Sequence, residues 1–305
     1  MKARVAGAPV SFGVFEMTPE GAEVLAPDDM LEILRETGHS GVDLGPLGYF
    51  GQGAELRDRL ARFDLELAGG WVELPFSDDE AFAASLPDLD AALRAFSDAA
   101  ENGPTLLPKP TLADHGSDAR KRAPGHGDDA DRLAAAGWDR LVANTGIAAE
   151  RVRAAGFEPT FHHHAGTFVE SPDEIDRFLD AVDIGLTLDT GHLVIGGGSP
   201  LDVLRRWGTR VNHVHLKDVD FDELSLVLAA GGGMTEVWSS GAFVAFGAGQ
   251  IDLTGVMTVL EASGFDGWIV IEQDVLPGAD VALRDFREQR AADQQTNRTF
   301  LQQWC

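Results

Sequence analysis

The chain has 305 residues, 44% hydrophobic and 24% charged, and 50 Asp and Glu against 24 Lys and Arg leave a formal charge of −26. A surface so acidic repels phosphate backbones and anionic lipid, which argues against nucleic acid and membranes as partners. The opening MKARVAGAPVSFGVFE turns acidic too soon for a secretory leader and no apolar run is long enough to span a bilayer. The only cysteine, Cys305, leaves no intrachain disulfide to form, so a cytoplasmic protein is expected.

Short apolar runs alternate with helical periodicity along the chain. Residues 4–8 read as a first strand, and DDMLEILRETG (28–38) follows as a helix with Met30, Leu31, Ile33 and Leu34 on one face, an Asp cap ahead and Gly38 behind. Strands are expected at 41–44, 66–71 and 105–108, then a polar loop at 108–129 and a helix within 131–156. A fifth strand at 158–163 leads to SPDEIDRFLDAV (171–182), where Ser171, Pro172 and Glu174 carry the signature of a capped helix start. Strands at 184–188, 211–216 and 268–271 complete the set; a long insertion (219–250) follows the seventh, and LTGVMTVLEASG (253–264) is a helix ending at glycine.

Eight strands with helices between them, in one composition regime, predict a single (β/α)₈ TIM barrel over residues 1–305. An open doubly wound sheet is the alternative, but no glycine-rich dinucleotide motif follows the first strand. In a barrel, the loops after strands 4 and 7 project from the C-terminal face, where such folds carry substrate loops.

The chemistry sits at the strand ends. Strand 5 ends in His162-His163-His164; alternation puts His162 and His164 on one face and turns His163 away. Strand 6 ends LTLDTGH, with Asp189 at the tip and His192 just beyond; strand 7 reads VNHVHLKD, with His213 and His215 on one face and Lys217-Asp218 following; strand 8 reads WIVIEQD, with Glu272 at its tip. Singly, Asp189 reads as a helix cap, Glu272 as a solvated strand end and His213 as a core residue. Together they offer mixed nitrogen and oxygen donors, which suit Mn²⁺ or Co²⁺, with Zn²⁺, Fe²⁺ and Mg²⁺ as alternatives.

HHHAGT, DTGH, HVHLKD and VIEQD resemble the xylose-isomerase-like barrels, a superfamily of sugar isomerases, epimerases and an endonuclease. APVSFGVFE, GVDLGPLGYFG, HVHLKDV and GAFVAFGAGQIDLTGVM extend the resemblance, over nearly the whole chain, to the inosose (2-keto-myo-inositol) dehydratases. The superfamily commonly takes Glu, Asp, His and Glu from strands 5 to 8 as metal ligands. The resemblance thus implies ligands at His162, Asp189, His215 and Glu272, with His162 departing from the usual Glu. Asp43 also stands where Glu is usual, and Ala248 interrupts a common Gly-Glu-Gly.

The resemblance implies metal-dependent dehydration of a keto-cyclitol through an enediolate, with a small polyol or keto-sugar as partner. His192 and Lys217 are the expected acid/base pair, with Asp218 orienting Lys217. Asp43, Tyr49, Trp71, His164 and His213 are expected against the substrate, His164 and Asp43 serving also as reserve proton carriers. The alternative is a keto-sugar isomerase or epimerase on the same metal site. A non-catalytic sugar- or partner-binding barrel stays open because of His162, and an endonuclease-type phosphodiesterase is opposed by the −26 charge. Homo-oligomer formation is left open.

Overall fold

The computed structural model describes residues 1–18, 24–125, 131–278 and 281–305. Its strands are β1 (Arg4–Gly7), β2 (Gly41–Asp43), β3 (Glu66–Leu74), β4 (Lys109–Asp114), β5 (Thr160–His162), β6 (Gly185–Asp189), β7 (Val211–Leu216), β8 (Asp218–Val219), β9 (Phe243–Val244) and β10 (Trp268–Ile271). All but β8 and β9 close into a parallel barrel in the order β1-β10-β7-β6-β5-β4-β3-β2, the expected (β/α)₈ architecture. Helices α1 (Pro27–Glu36), α2 (Ala54–Arg62), α3 (Asp79–Ala100), α4 (Asp118–Arg122), α5 (Ala135–Ala154), α6 (Pro172–Ala181) and α7 (Thr190–Ile195) connect the first strands. After them come α8 (Pro200–Trp207), α9 (Phe221–Ala229), α10 (Met234–Ser240), α11 (Leu253–Ser263) and α12 (Leu283–Leu301). Among the described residues no helix is long and apolar enough to cross a membrane.

Local chemistry accounts for the boundaries. Ser171 and Glu174 form the capping box that opens α6, and α11 stops at Gly264, whose φ of 75° suits glycine. The Asp cap expected for α1 is absent: the helix starts on Pro27 after Ala26, proline presetting the first helical φ where its missing N–H costs nothing.

The fourth strand lies further on than the apolar run at 105–108 predicts. Leu107 is 48% exposed, and the Thr105 amide and hydroxyl are held by Glu66 in a loop. The strand is Lys109–Asp114, with Pro110 near its start, where proline is best tolerated in a sheet. The 108–129 stretch is therefore not a loop after this strand; it begins as β4 and continues into α4, and its residues 126–129 lie outside the described residues. The 219–250 insertion is ordered as α9, α10 and the antiparallel β8–β9 pair.

The barrel interior is divided. Ala6, Ala8, Ala68, Val270 and the fully buried Trp268 form an apolar cluster from β1, β3 and β10 and the turn after β1. Gly41 makes room for the indole, since a Cβ there would lie 2.8 Å from its ring. The β4–β7 side is polar, with the Thr160 and Thr187 hydroxyls 2.8 Å apart. An apolar plug on one side and hydrogen-bonded polar groups on the other form the floor beneath the ionisable side chains.

His39, between α1 and β2, gives the fold a pH dependence. Burial above all, helped by Arg298, pushes its pKa from 6.5 down to about 3. A base with a lowered pKa binds fewer protons folded than unfolded, so this contribution is intact above pH 6.5 and lost as pH falls toward 3. At about 1.4 kcal/mol per pH unit, the contribution lost between pH 6.5 and 4 is on the order of 3 kcal/mol. Urea unfolding at pH 7 and pH 4 should show a smaller acid loss for His39→Gln than for the unsubstituted chain; equal losses would contradict this assignment.

Candidate metal and active site

The strand register gathers donors at the C-terminal mouth. Asp189, last in β6, lies beside His215 of β7, and His215 lies beside Val270 of β10, two residues before Glu272. His162 ends β5 and points inward with the same alternation. Its Nε2 is 3.1 Å from His215 Nδ1 and 3.4 Å from Asp189 Oδ2, and His215 Nδ1 is 3.0 Å from Glu272 Oε2. Ligand atoms of His162, Asp189 and His215 all lie within 4.8 Å of one another, and the four residues are buried. Two imidazoles and the Asp189 carboxylate gathered this closely, with Glu272 against His215 and open positions toward a pocket, fit a divalent ion of borderline softness.

Lys217 enters this cluster. Its Nζ donates to Asp189 Oδ2 at 2.6 Å and to Glu272, and lies 3.4 Å from Asp274 Oδ1. Burial opposes the ammonium, but Asp189, Asp274 and Glu272 outweigh it and raise the Lys217 pKa. Burial likewise opposes both carboxylates; Lys217 and the histidines overcome it at Asp189, and His215 and Lys217 at Glu272, holding each below its usual range. His215 is pushed down by burial and up by Glu272 and Asp43, with a net rise. His162, dominated by burial, falls to about 4, and His164 falls well below its normal value for the same reason, so both are neutral, metal-competent imidazoles at pH 7.

Around the cluster lies a cavity of about 470 Å³, inside the roughly 300–1,000 Å³ of small-molecule sites. His192 Nε2 is 3.4 Å from Asp274 Oδ2, and its ring packs on His164 with centroids 3.5 Å apart. Asp189 Oδ1 caps α7 by accepting the His192 amide at 2.8 Å, so one carboxylate holds both the donor cluster and the helix carrying His192. Trp71 forms one wall, its ring edge-to-face with His162 and His164 at 5.2 and 5.0 Å. Met234, Thr235 and Trp238 from α10 cover the mouth. His163 faces away from the cavity, its Nε2 accepting the Asp189 amide at 3.2 Å.

Three expectations are corrected, one of them His213, which precedes His215 by one inward-facing position on β7 and so falls below the cavity instead of against the substrate. Tyr49 is not part of the cavity wall; its hydroxyl donates to the Leu25 carbonyl at 2.6 Å and its ring packs on Phe50, because the loop after β2 turns outward. Asp218 does not orient Lys217. Its carboxylate accepts the amides of Val219, Gly247, Gly249 and Ile251, pinning the end of the 219–250 insertion. A buried carboxylate with four amide donors is a structural anchor, so Asp218→Ala should cost on the order of 3 kcal/mol of stability and leave metal content unchanged. Thermal melts with metal analysis would check this, and a stable, metal-free variant would contradict it.

Asp43 and His213 lie beneath His215, with Asp43 Oδ2 3.5 Å from His215 Nε2; Asp43 reaches the cavity wall and His213 does not. Burial lifts the Asp43 pKa to about 7 and pushes His213 well down. Several polar residues at the cavity escape the sequence reading, among them Asp274, Glu73 and His115, with Glu16 and Lys121 also on its wall. Asp274 has a signal, two residues beyond Glu272 in VIEQD. Glu73 and His115, 2.5 Å apart across the mouth, were hidden by ending strand 3 at residue 71 and placing strand 4 too early.

A closed parallel barrel with imidazoles and carboxylates gathered at the C-terminal strand ends is the layout of a TIM-barrel enzyme with a metal-competent mouth. The family model described as xylose isomerase-like TIM barrel matches residues 29–291. An inosose dehydratase of Geobacillus kaustophilus (strain HTA426) is 30% identical over 282 residues, covering 90% of this chain and 88% of that protein. Among solved structures, the probable 3-DHS dehydratase AsbF of Bacillus anthracis superposes with a TM-score of 0.64 at 15% identity, over 97% of this chain and 98% of that one. The IOLI protein with a bound zinc atom superposes with a TM-score of 0.68 at 10% identity, over 99% of each chain. The chain belongs to the xylose isomerase-like TIM barrel family.

Proposed function

We propose that this protein is a divalent-metal-dependent dehydratase of a keto-cyclitol of the 2-keto-myo-inositol type. The observation that carries the reading is the cluster of His162, Asp189 and His215, with Glu272 against His215, beside the His192–Asp274 pair in a cavity of small-molecule size. The inosose dehydratase relative supplies the substrate class, and the zinc-bearing neighbour supports metal at a site of this fold. Those four side chains would hold the ion, which supplies Lewis-acid polarisation of a substrate carbonyl.

The remaining groups divide the proton work. His192, steadied by Asp274, takes the proton from the carbon next to the carbonyl, as a base held by a carboxylate. The C–H pair then forms the new C=C bond, and the neighbouring C–O bond breaks. Lys217, held as an ammonium by three carboxylates, serves as the donor that protonates the departing hydroxyl, which leaves as water. The enol product tautomerises to a dione. Neutral His164 packs against His192, and Trp71 shields the opposite side and lowers the local dielectric.

Incubation of Mn²⁺-loaded protein with 2-keto-myo-inositol tests the reading. A product lighter by one water, with the ultraviolet absorbance of a conjugated dione, is expected. A product of unchanged mass would replace dehydration with isomerisation or epimerisation, and no turnover at all would leave a binding barrel.

A further inference from the structure

Beneath the proposed metal centre is a second set of donors that it does not use. His213 precedes His215 by two residues on β7, so both rings point into the barrel one layer apart, and Asp43 comes from β2 across the interior. Ligand atoms of Asp43, His213 and His215 lie within 4.8 Å of one another. The three residues are 5%, 0% and 3% exposed. Asp43 Oδ1, both ring nitrogens of His213 and His215 Nε2 are buried without a hydrogen-bond partner. Each such atom costs about 1–3 kcal/mol; the two ring nitrogens of His213 point apart, so one of them, together with Asp43 and His215 Nε2, faces the common spot and calls for an occupant.

The chain keeps that spot open. A Cβ on Gly69 of β3 would lie 2.9 Å from Asp43 Oδ1, 2.9 Å from His213 Nε2 and 3.0 Å from the Lys109 carbonyl oxygen, so a side chain at this position would fill the space these three polar atoms border. No lysine or arginine completes the spot among the pairs formed here by the described residues. Lys217 is committed to Asp189, Glu272 and Asp274, and among the described residues the ion pair of Asp43 is with the His215 ring.

We propose that Asp43, His213 and His215 form a second divalent-cation site on the barrel floor. Two imidazoles and one carboxylate suit a borderline transition ion such as Co²⁺, Mn²⁺ or Zn²⁺. His215 joins the two sites, presenting Nδ1 to the upper donors and Nε2 to the lower ones. With both ring nitrogens ligating, the imidazole gives its ring proton to solvent, so filling the second site releases a proton. The site stands on its own donors, whatever substrate the cavity above accepts.

The test is a metal count on the full chain. Metal-free protein is equilibrated with Co²⁺ or Mn²⁺, dialysed, and analysed by inductively coupled plasma mass spectrometry for the unsubstituted chain and for His213→Gln, Asp43→Asn and Asp189→Asn. Two ions per chain are expected, falling to one in His213→Gln and in Asp43→Asn, and to one in Asp189→Asn. A single ion lost only in Asp189→Asn would overturn the second site, water filling the floor, while leaving the upper centre intact. A single ion lost only in His213→Gln would support the lower site and overturn the upper one. No bound ion at all would overturn both. Electron paramagnetic resonance of the Mn²⁺-loaded unsubstituted chain needs no variant: exchange-coupled Mn²⁺ pairs are expected, and isolated Mn²⁺ alone would overturn the proposal.

Discussion

Asp189→Asn should strip the upper donor set of its ion and lower turnover of the keto-cyclitol by about three orders of magnitude. The size follows from the several kcal/mol that a Lewis-acid ion contributes to a charged transition state, at about 1.4 kcal/mol per tenfold in rate. Asparagine is the informative replacement because Asp189 has two duties. One oxygen caps α7 through the His192 amide, which an amide oxygen can still accept, while the other serves the donor cluster and Lys217. Asparagine keeps the first duty and removes the anionic ligand. The double variant Asp189→Ala, Glu272→Ala removes both carboxylates of the upper donor set, and elemental analysis should find the upper ion gone. Retention of that ion at full occupancy would show that these side chains do not hold it.

The second large effect separates proton transfer from metal binding. His192→Ala should bind the upper ion as the unsubstituted chain does, because His192 lies outside the four-donor set, yet lose turnover by about 10²–10⁴-fold, the usual worth of a positioned acid or base. Asp274→Asn should produce a smaller loss in kcat, since it weakens the carboxylate beside His192 Nε2 without removing the imidazole. Metal content and kcat measured on the same preparations check both statements. Undiminished turnover in His192→Ala would move the proton abstraction to another group, with His164, in ring contact with it, the nearest imidazole.

Much of this arrangement is legible in the sequence because it is periodic. The barrel follows from alternating strand and helix patterns, the start of α6 from Ser171 and Glu174, and the donor cluster from polar residues that end successive strands on inward-facing positions. Alternation also separates His163, turned to the Asp189 backbone, from His162 and His164 in the cavity. Where the reading fails, the deciding contact joins parts of the chain far apart in sequence. Asp218 sits in a motif full of site residues, but the four amides it accepts include three at the end of the insertion, 29 to 33 residues away. Tyr49 attracts attention as the lone tyrosine, yet a carbonyl at Leu25 takes its hydroxyl out of the cavity. Taking the apolar run at 105–108 as strand 4 put residues 109–114 into a polar loop and concealed His115 just beyond the strand's tip. No local pattern shows that Lys217 is clamped between Asp189 and Glu272, since that depends on the register of three strands.

Anomalous diffraction from crystals grown with Mn²⁺ and the keto-cyclitol tests the central claim most directly. A peak about 2.0–2.3 Å from one donor atom each of His162, Asp189, His215 and Glu272, with substrate oxygens completing its coordination and the carbon to be deprotonated facing His192, is the predicted result. Mn²⁺ absent from these four side chains, with substrate bound without metal contact, would contradict the account.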